Sequence, residues 1–356
     1  MKPYSFLIVF LVFWSNVYAQ TTDSTVIRIK KFSKSINFYT KLTSAFSNVE
    51  VSNPDLKESL LFEPNPNAQF GMGFSYSWLG LGFNVELPTD YETEQKYGKT
   101  QKFDFEAHYT LRRFFLDFTL KNYKGFYLSN PGKVIPQWDR SNPLPKAPNL
   151  ETVSLAVSFA YIFSPDKFSA NAAYTYTYAM RKSGGSWILG GFASVNTVAS
   201  DTSIVPGIVK QYIDPRLDVK TLGFANFGVS FGYSYLFTMW KKYFCSLTLL
   251  PGLSLQKVIQ QSSITGEVTE NNVLAGRNIV RFSLGKNGDK YYWGIAAYIE
   301  SSIVNNKDSK LQLTSGSTYL FLGYRLDTSN WKFMKGVDRV MHPRFLRFLT
   351  GSPPER

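Results

Sequence analysis

Apolar and polar side chains alternate through residues 102–120, KFDFEAHYTLRRFFLDFTL, and the alternation changes parity across Arg112-Arg113. Phe103, Phe105, Ala107, Tyr109 and Leu111 are odd, whereas Phe114, Leu116, Phe118 and Leu120 are even. Successive strand residues point to opposite faces, so each arm carries one apolar face, and the switch is what a turn between two arms requires. One register brings the apolar residues together: Leu111 faces Phe114, Tyr109 faces Leu116, Ala107 faces Phe118 and Phe105 faces Leu120. The same register sets His108 against Asp117, Glu106 against Thr119 and Asp104 against Lys121. Matched apolar groups and opposite charges coincide, which is how cross-strand pairing is specified.

The construction recurs along the chain. FGMGFSYSWLGLGFNVEL (70–87) switches at Trp78-Leu79 and predicts Tyr76 against Leu81 and Phe74 against Phe83. VSLAVSFAYIFSPDKFSANAAYTYTYAM (153–180) predicts two strands about a Pro-Asp turn at 164–167, with Phe163 against Phe168 and Phe159 against Ala172. Residues 225–255 turn at Trp240-Lys241-Lys242, and RFSLGKNGDKYYWGIAAYI (281–299) turns over Asn287-Gly288 with Leu284 facing Tyr291. Long strands in series, with no helix between them, place the chain in the all-β antiparallel class.

The polar face decides whether the oil lies inside or outside. A water-facing soluble surface is rich in charge. Here that face reads Gly71, Gly73, Ser75, Ser77, Gly80, Gly82, then Ser154, Ala156, Ser158, then Asn226, Gly228, Ser230, Gly232, Ser234. Small neutral residues suit a lumen, and the bulky opposite face suits lipid. Aromatics gather beside the short turns: Tyr76 and Trp78; Tyr109, Phe114 and Phe115; Tyr161, Phe163 and Phe168; Phe237, Trp240, Tyr243 and Phe244; Tyr291, Tyr292 and Trp293. Such a girdle marks a transmembrane β-barrel of the outer-membrane type, with short periplasmic turns and longer extracellular loops, here 88–101, 129–150, 257–276 and 303–311.

The N-terminus fits export. Lys2 precedes the apolar run Phe6 to Trp14, and Val17-Tyr18-Ala19 precedes Gln20. The pattern predicts a signal peptide over 1–19, cut after Ala19, with the barrel over 20–327 and a basic periplasmic tail over 328–356. The single cysteine, Cys245, excludes an intramolecular disulfide and falls in the apolar pattern of its strand. The formal charge of +13 argues for lipid phosphate or anionic glycan rather than nucleic acid in an exported, aromatic-rich β chain. The expected partners are outer-membrane lipid, lipopolysaccharide and the barrel-assembly machinery.

The readable strands are 34–44, 68–78, 79–88, 101–111, 113–128, 151–163, 167–180, 186–197, 221–239, 243–256, 277–285, 290–302 and 312–326. Bacterial single-chain barrels have an even number of strands. Short and long connections stop alternating between 180 and 221. Either a further strand lies near 199–207, giving fourteen, or 186–197 is not in the wall, giving twelve. FEPNPNAQFGMGFSYSWLGLGF (62–83), NYKGFYL (122–128), FSANAAYTYTYAMRKSGGSW (168–187) and FGVSFGYSYLF (227–237) resemble a family of Bacteroidota outer-membrane barrels known as domain of unknown function 4421. The resemblance implies fold and compartment and supplies no activity. The expected assembly signal is LFLGYRL (320–326).

Inward charge concentrates on one wall: Asp104, Glu106, His108, Asp117 and Lys121, with Arg281 and Arg325 as further inward candidates. A His–carboxylate pair begins an acyl-hydrolase site only when a serine joins it and the substrate can reach it. His108 and Asp117 point away from lipid, and no G-x-S-x-G accompanies them. A register-fixing lumen cluster is therefore the reading for this wall, with no catalytic, cofactor or metal site. His108 and His342 are the only histidines, and KNGDK (286–290) has too few spaced oxygens for calcium. The expected function is a channel or envelope scaffold without catalysis. The alternatives are a partner barrel in a secretion or surface-export machine, docking through WKFMKGVDRVMHPRFLRF (331–348), and a lipid-modifying enzyme using His108 and Asp117.

Overall fold

The computed structural model describes residues 28–332 apart from 33, 54–57, 140 and 306–309, together with 334 and 337. The expected signal peptide and most of the expected tail lie outside the described residues.

A short strand β1 (Ile29–Lys31) precedes the wall. The wall strands are β2 (Ser35–Asn53), β3 (Glu58–Pro64), β4 (Ala68–Tyr76), β5 (Leu79–Glu86), β6 (Gln101–Thr110), β7 (Phe114–Leu128) and β8 (Lys146–Ile162). After a three-residue strand β9 (Tyr178–Met180) come β10 (Gly184–Ala199), β11 (Val219–Met239), β12 (Tyr243–Ser262), β13 (Val268–Asn287), β14 (Tyr291–Asn305) and β15 (Lys310–Asp327). Each wall strand pairs antiparallel with its neighbours, and β15 closes on β2 from Lys310↔Ser52 to Asp327↔Ser35. The ring is a closed barrel of twelve strands, β3 and β4 together making one descending strand broken at residues 65–67.

Burial is inverted, as a lipid solvent demands. Phe227 is 70 % and Leu255 69 % exposed, whereas Ser234 and Thr248 are 0 % exposed. No helix among the described residues is long and apolar enough to cross a membrane. The membrane-facing surface is the outer face of the strands, which pair with one another around the closed ring.

The break in β3/β4 narrows the barrel. Above it β3 pairs directly with β7, through Phe62↔Leu128 and Pro64↔Phe126, so the loop end is bounded by two strands fewer than the turn end. Below it β4, β5 and β6 enter as a wedge. The wedge tip is sealed by hydrogen bonds: the Asn65 N–H donates to Thr100 Oγ1 (2.8 Å), whose hydroxyl donates to the Gly125 carbonyl (2.7 Å), and Lys102 donates to the Asn65 carbonyl. Gly125 sits at the accompanying register shift in β7 with φ +91°. A Cβ there would lie 2.1 Å from the Lys99 carbonyl oxygen, so both the backbone angle and the space require glycine.

The hairpin of residues 101–128 has the expected register at every pair, from Tyr109↔Leu116 to Asp104↔Lys121. Two other registers differ. Phe74 pairs with Leu81, not Phe83, and Leu284 with Ile295, not Tyr291. The first strand runs on to Asn53, and β12 and β13 extend to Ser262 and from Val268, so most of 257–276 is strand rather than loop.

The largest correction concerns 167–180. It is not a wall strand: β8 pairs with β10 instead, with Phe159 opposite Gly191, so 186–197 is in the wall and no further strand follows between β10 and β11. Twelve strands result, with the opposite segment excluded. Residues 164–183 turn into the barrel, form a short helical turn α1 (Ala170–Ala173), and pair through β9 with β1. Ala170, Ala172, Ala173 and Phe168 are buried among Ile162, Ile188, Leu236 and Phe244 of the inner wall. Alanines allow the backbone to enter a space that wall side chains already crowd. Phe115, Phe244 and Tyr292, expected in the girdle, face this plug instead: Tyr176 lies 5.6 Å from Phe244, 5.7 Å from Tyr292 and 4.3 Å from Phe321, ring centre to ring centre.

Candidate functional site

The lumen between the two ends holds the inward charges. Lys41 of β2 donates to Glu106 (2.8 Å), whose carboxylate lies 3.8 Å from His108 Nε2. His108 Nδ1 is 2.8 Å from Asp117 Oδ1, and Arg281 donates to Asp117 Oδ2 at 2.8 Å. Glu106 and His108 come from β6 and Asp117 from β7, while Arg281 reaches them from β13 on the far side of the ring. The chain of charges therefore crosses the lumen. Period two on three strands is enough to aim all of them inward. The Arg281 guanidinium also lies 4.8 Å from the Tyr174 ring of the plug and 5.1 Å from Tyr298, so its charge is held between aromatic faces.

A second group lies toward the loops. Arg277 Nε donates to Glu300 (2.6 Å), Tyr298 donates to the same carboxylate, and the Arg277 guanidinium stacks 3.8 Å over Phe192. Asp104 accepts from Gln69 (2.7 Å) and from the Tyr123 hydroxyl (3.0 Å). Lys121 faces Asp104 in register but makes no ion pair with it within 4 Å among the described residues; it lines the cavity beside Glu300. Buried pairing of this kind costs desolvation and holds only where geometry and extra hydrogen bonds compensate. Between Arg281 and Asp117, and between Lys41 and Glu106, it secures the relative position of strands that share no backbone hydrogen bond.

The space left over is small. A cavity of about 120 Å³ surrounds His108, Asp117 and Arg281, one of about 80 Å³ lies beside Lys121 and Glu300, and one of about 50 Å³ beside Lys41 and Tyr319. At about 30 Å³ per water, each of these volumes holds a few solvent molecules.

Both ends are filled. At the turn end the plug is held by wall side chains: Tyr174 shares hydrogen bonds with Ser234 (3.2 Å) and Thr248 (2.8 Å), Ser283 donates to the Ala173 carbonyl (3.3 Å), and Asn287 donates to the Tyr178 carbonyl (2.8 Å). Arg325, 3 % exposed, donates to the Tyr176 and Gly288 carbonyls and to Asn287 Oδ1 (2.6 Å). At the loop end Leu60, Phe62, Leu128 and Leu150 of the wall pack against Val134 and Ile135 of loop 129–145, and against Ile204, Val205 and Leu217 of loop 200–218.

Glu106, His108, Asp117, Lys121 and Arg281 line the central cavity, Asp104 is buried against Gln69 and Tyr123, and all five residues of the expected cluster sit within one hairpin. Lys41, Arg277 and Glu300 were missed although their parity was available: each is separated by an even number from an inward residue of its own strand. Tyr174 and Tyr176 carried no such signal, because they belong to the plug. Among the described residues no group of three or more His, Cys, Asp or Glu could hold a metal ion.

The model of the family described as Domain of unknown function (DUF4421) matches residues 21–326. No curated protein matches the chain. Solved structures that resemble it include the outer membrane protease OmpT from Escherichia coli, at 7 % identity, covering 83 % of this chain and 98 % of that one with a TM-score of 0.35. The beta domain of the Bordetella autotransporter BrkA is 13 % identical, covering 82 % and 99 %, with a TM-score of 0.36. The translocator domain of the autotransporter NalP from Neisseria meningitidis is 8 % identical, covering 90 % and 95 %, with a TM-score of 0.30.

Proposed function

We propose that this chain, which belongs to the DUF4421 family, is an outer-membrane barrel closed at rest that serves the envelope as a scaffold rather than as an open pore. The observation that carries this reading is the double closure of the lumen, with a charge chain bridged from wall to wall between the two seals. The short turns and the β1 end face the periplasm, and the long loops face outward, in line with the general rule for such barrels. Outer-membrane lipid and lipopolysaccharide cover the exposed aromatic and aliphatic belt, and the barrel-assembly machinery inserts it. No hydrolysis is assigned to His108 and Asp117: both ring nitrogens of His108 face carboxylates, and no hydroxyl hydrogen-bonds to the ring among the described residues. A serine nucleophile would need one of those nitrogens.

The test is conductance in a planar bilayer. The wild-type protein should give no sustained porin-like steps. A variant with residues 168–180 replaced by a short Gly-Ser linker should conduct if it folds, which heat-modifiable migration on a gel reports. Sustained steps from the wild type would sink the scaffold reading in favour of an open channel.

A further inference from the structure

A cavity of about 260 Å³ lies outside the charged lumen, at the turn end between β1, the β6–β7 turn and the entry to the plug. Three cations line it: Arg28 and Lys31 flank and belong to β1, and Arg112 comes from the turn. The only acid lining it is Asp166, and Arg112 already pairs with that carboxylate. Lys31 lies 5.6 Å from the Tyr178 ring, and no described carboxylate forms an ion pair with Lys31 or Arg28. Ser169 and Asn171 of the plug, 6 % and 2 % exposed, bring a hydroxyl and an amide to the same cavity. Two unpaired cations thus converge with neutral donors on one recess.

We propose that this recess binds a phosphate-bearing anion. The charge surplus selects an anion, and hydroxyl and amide donors beside two cations suit the several acceptor oxygens of a phosphate. The volume leaves room for a glycerol- or sugar-sized substituent. Burial and the nearby Arg112 guanidinium both lower the pKa of the Lys31 ammonium, a penalty that an anion between the two would relieve. The bound group would also tie β1, the plug and the β6–β7 turn to one another, since each supplies a contact. The same chemistry is offered by the headgroup of an anionic phospholipid in the adjacent leaflet and by a soluble organophosphate.

Calorimetry on the full chain in neutral detergent, with sn-glycerol 3-phosphate as probe, tests the soluble source. Nanodiscs of phosphatidylcholine with and without phosphatidylglycerol, read by protection of Lys31 from acetylation, test the lipid source. The expected result is one saturable site in at least one arm, weakened tenfold or more by Arg28→Ala with Lys31→Ala in calorimetry or by Arg28→Ala alone in the protection arm, where Lys31 is the reporter, and unchanged by Lys290→Ala, a cation of the same end outside the recess. Binding in the calorimetric arm alone assigns a soluble organophosphate, and anion-dependent protection alone assigns a headgroup. No saturable effect in either arm overturns the proposal, as does equal weakening by Lys290→Ala, which would report general positive charge. If the double variant does not fold by heat-modifiable migration, Arg28→Gln, which keeps the Lys31 reporter, carries the same comparison in both arms. Conductance is a separate readout, so this outcome and that of the scaffold reading are independent.

Discussion

The barrel is closed at both ends by different physics. The loop end is an aliphatic core in miniature, in which loops 129–145 and 200–218 bury Val, Leu and Ile against the upper strands. The turn end is a single segment whose backbone carbonyls accept from Asn287, Ser283 and Arg325 of the wall, and whose tyrosines stack on wall aromatics. Apolar packing is non-directional and tolerates substitution of similar volume, whereas hydrogen bonds to particular carbonyls fix one placement. Residues 168–183 of the stretch FSANAAYTYTYAMRKSGGSW, one of those that carry the family resemblance, form the directional closure rather than a wall strand.

That contrast is broken most forcefully at Arg325. Arg325→Ala removes the donor from three acceptors in a buried place, at about 1–3 kcal/mol for each group left unsatisfied. It should therefore cost more than about 3 kcal/mol in a urea titration from lipid vesicles and release bilayer current as the plug loosens. Leu150→Ala, fully buried at the other end, should cost about 2–5 kcal/mol through the cavity it leaves, with no current. Current from Leu150→Ala and silence from Arg325→Ala would reverse the assignment of the two closures.

The sequence made one end legible and hid the other. Residues 101–128 were readable because His108–Asp117 and Asp104–Lys121 label the register with charge. In 70–87 the Gly–aromatic alternation repeats every two residues, so a slip of two keeps every face correct, and the true Phe74↔Leu81 pairing carries no distinguishing mark. The plug was hidden because TYTYAM has the alternation of a strand, whereas Tyr176 adopts a left-handed φ of +57° that parity cannot report. β3 was missed because Leu60, Leu61 and Phe62 are apolar in succession, so ESLLFEP shows no alternation in sequence although burial alternates from Leu60 to Pro64. Of the lumen site, the hairpin's own members and inward Arg281 were legible, and the pairing of Arg281 with Asp117 was not, because cross-lumen contacts leave no trace in local sequence.

The wall itself supplies the next comparison, between adjacent residues of β7. Phe118→Lys places a charge on the lipid face and should cost about 2–4 kcal/mol near the midplane. The sequence alone suggests a wet lumen that would screen the loss of Asp117, at up to about 1 kcal/mol. The structure instead holds Asp117 between His108 and Arg281 at 2.8 Å each, 9 % exposed, so Asp117→Asn should cost about 1–3 kcal/mol by weakening both charged hydrogen bonds. Removing Arg281 in the same background should then add less than it does alone, because the two share one interaction. Fully additive losses would mean that the bridge across the lumen is not formed in the membrane.

The smallest effect belongs to the rim that fastens β1 over the plug. Asp289, in the β13–β14 turn, pairs with Lys30 of β1 (2.6 Å), Arg181 at the plug exit (3.0 Å) and Lys242 of the β11–β12 turn (3.5 Å). The hydrogen bond from Lys30 lowers the Asp289 pKa; partial burial opposes this, and the charges of Lys30, Arg181 and Lys242 reinforce it. A depressed carboxylate stabilises the fold above its unfolded value and loses that contribution as pH falls through the folded one. At about half exposure the pairing is screened, so Asp289→Asn should cost under about 1 kcal/mol at neutral pH. Wild type and variant should differ in amide exchange at Lys30 and Ala179, which face each other in the β1–β9 pairing, and should converge as the pH drops below about 4, the ordinary aspartate value. A difference that persists undiminished well below that range would show that the carboxylate's charge is not what fastens β1 to the plug. The clasp would then rest on the three backbone-paired residues of β1 and β9, and the directional character of the turn-end closure would come from Arg325 and its neighbours inside the barrel.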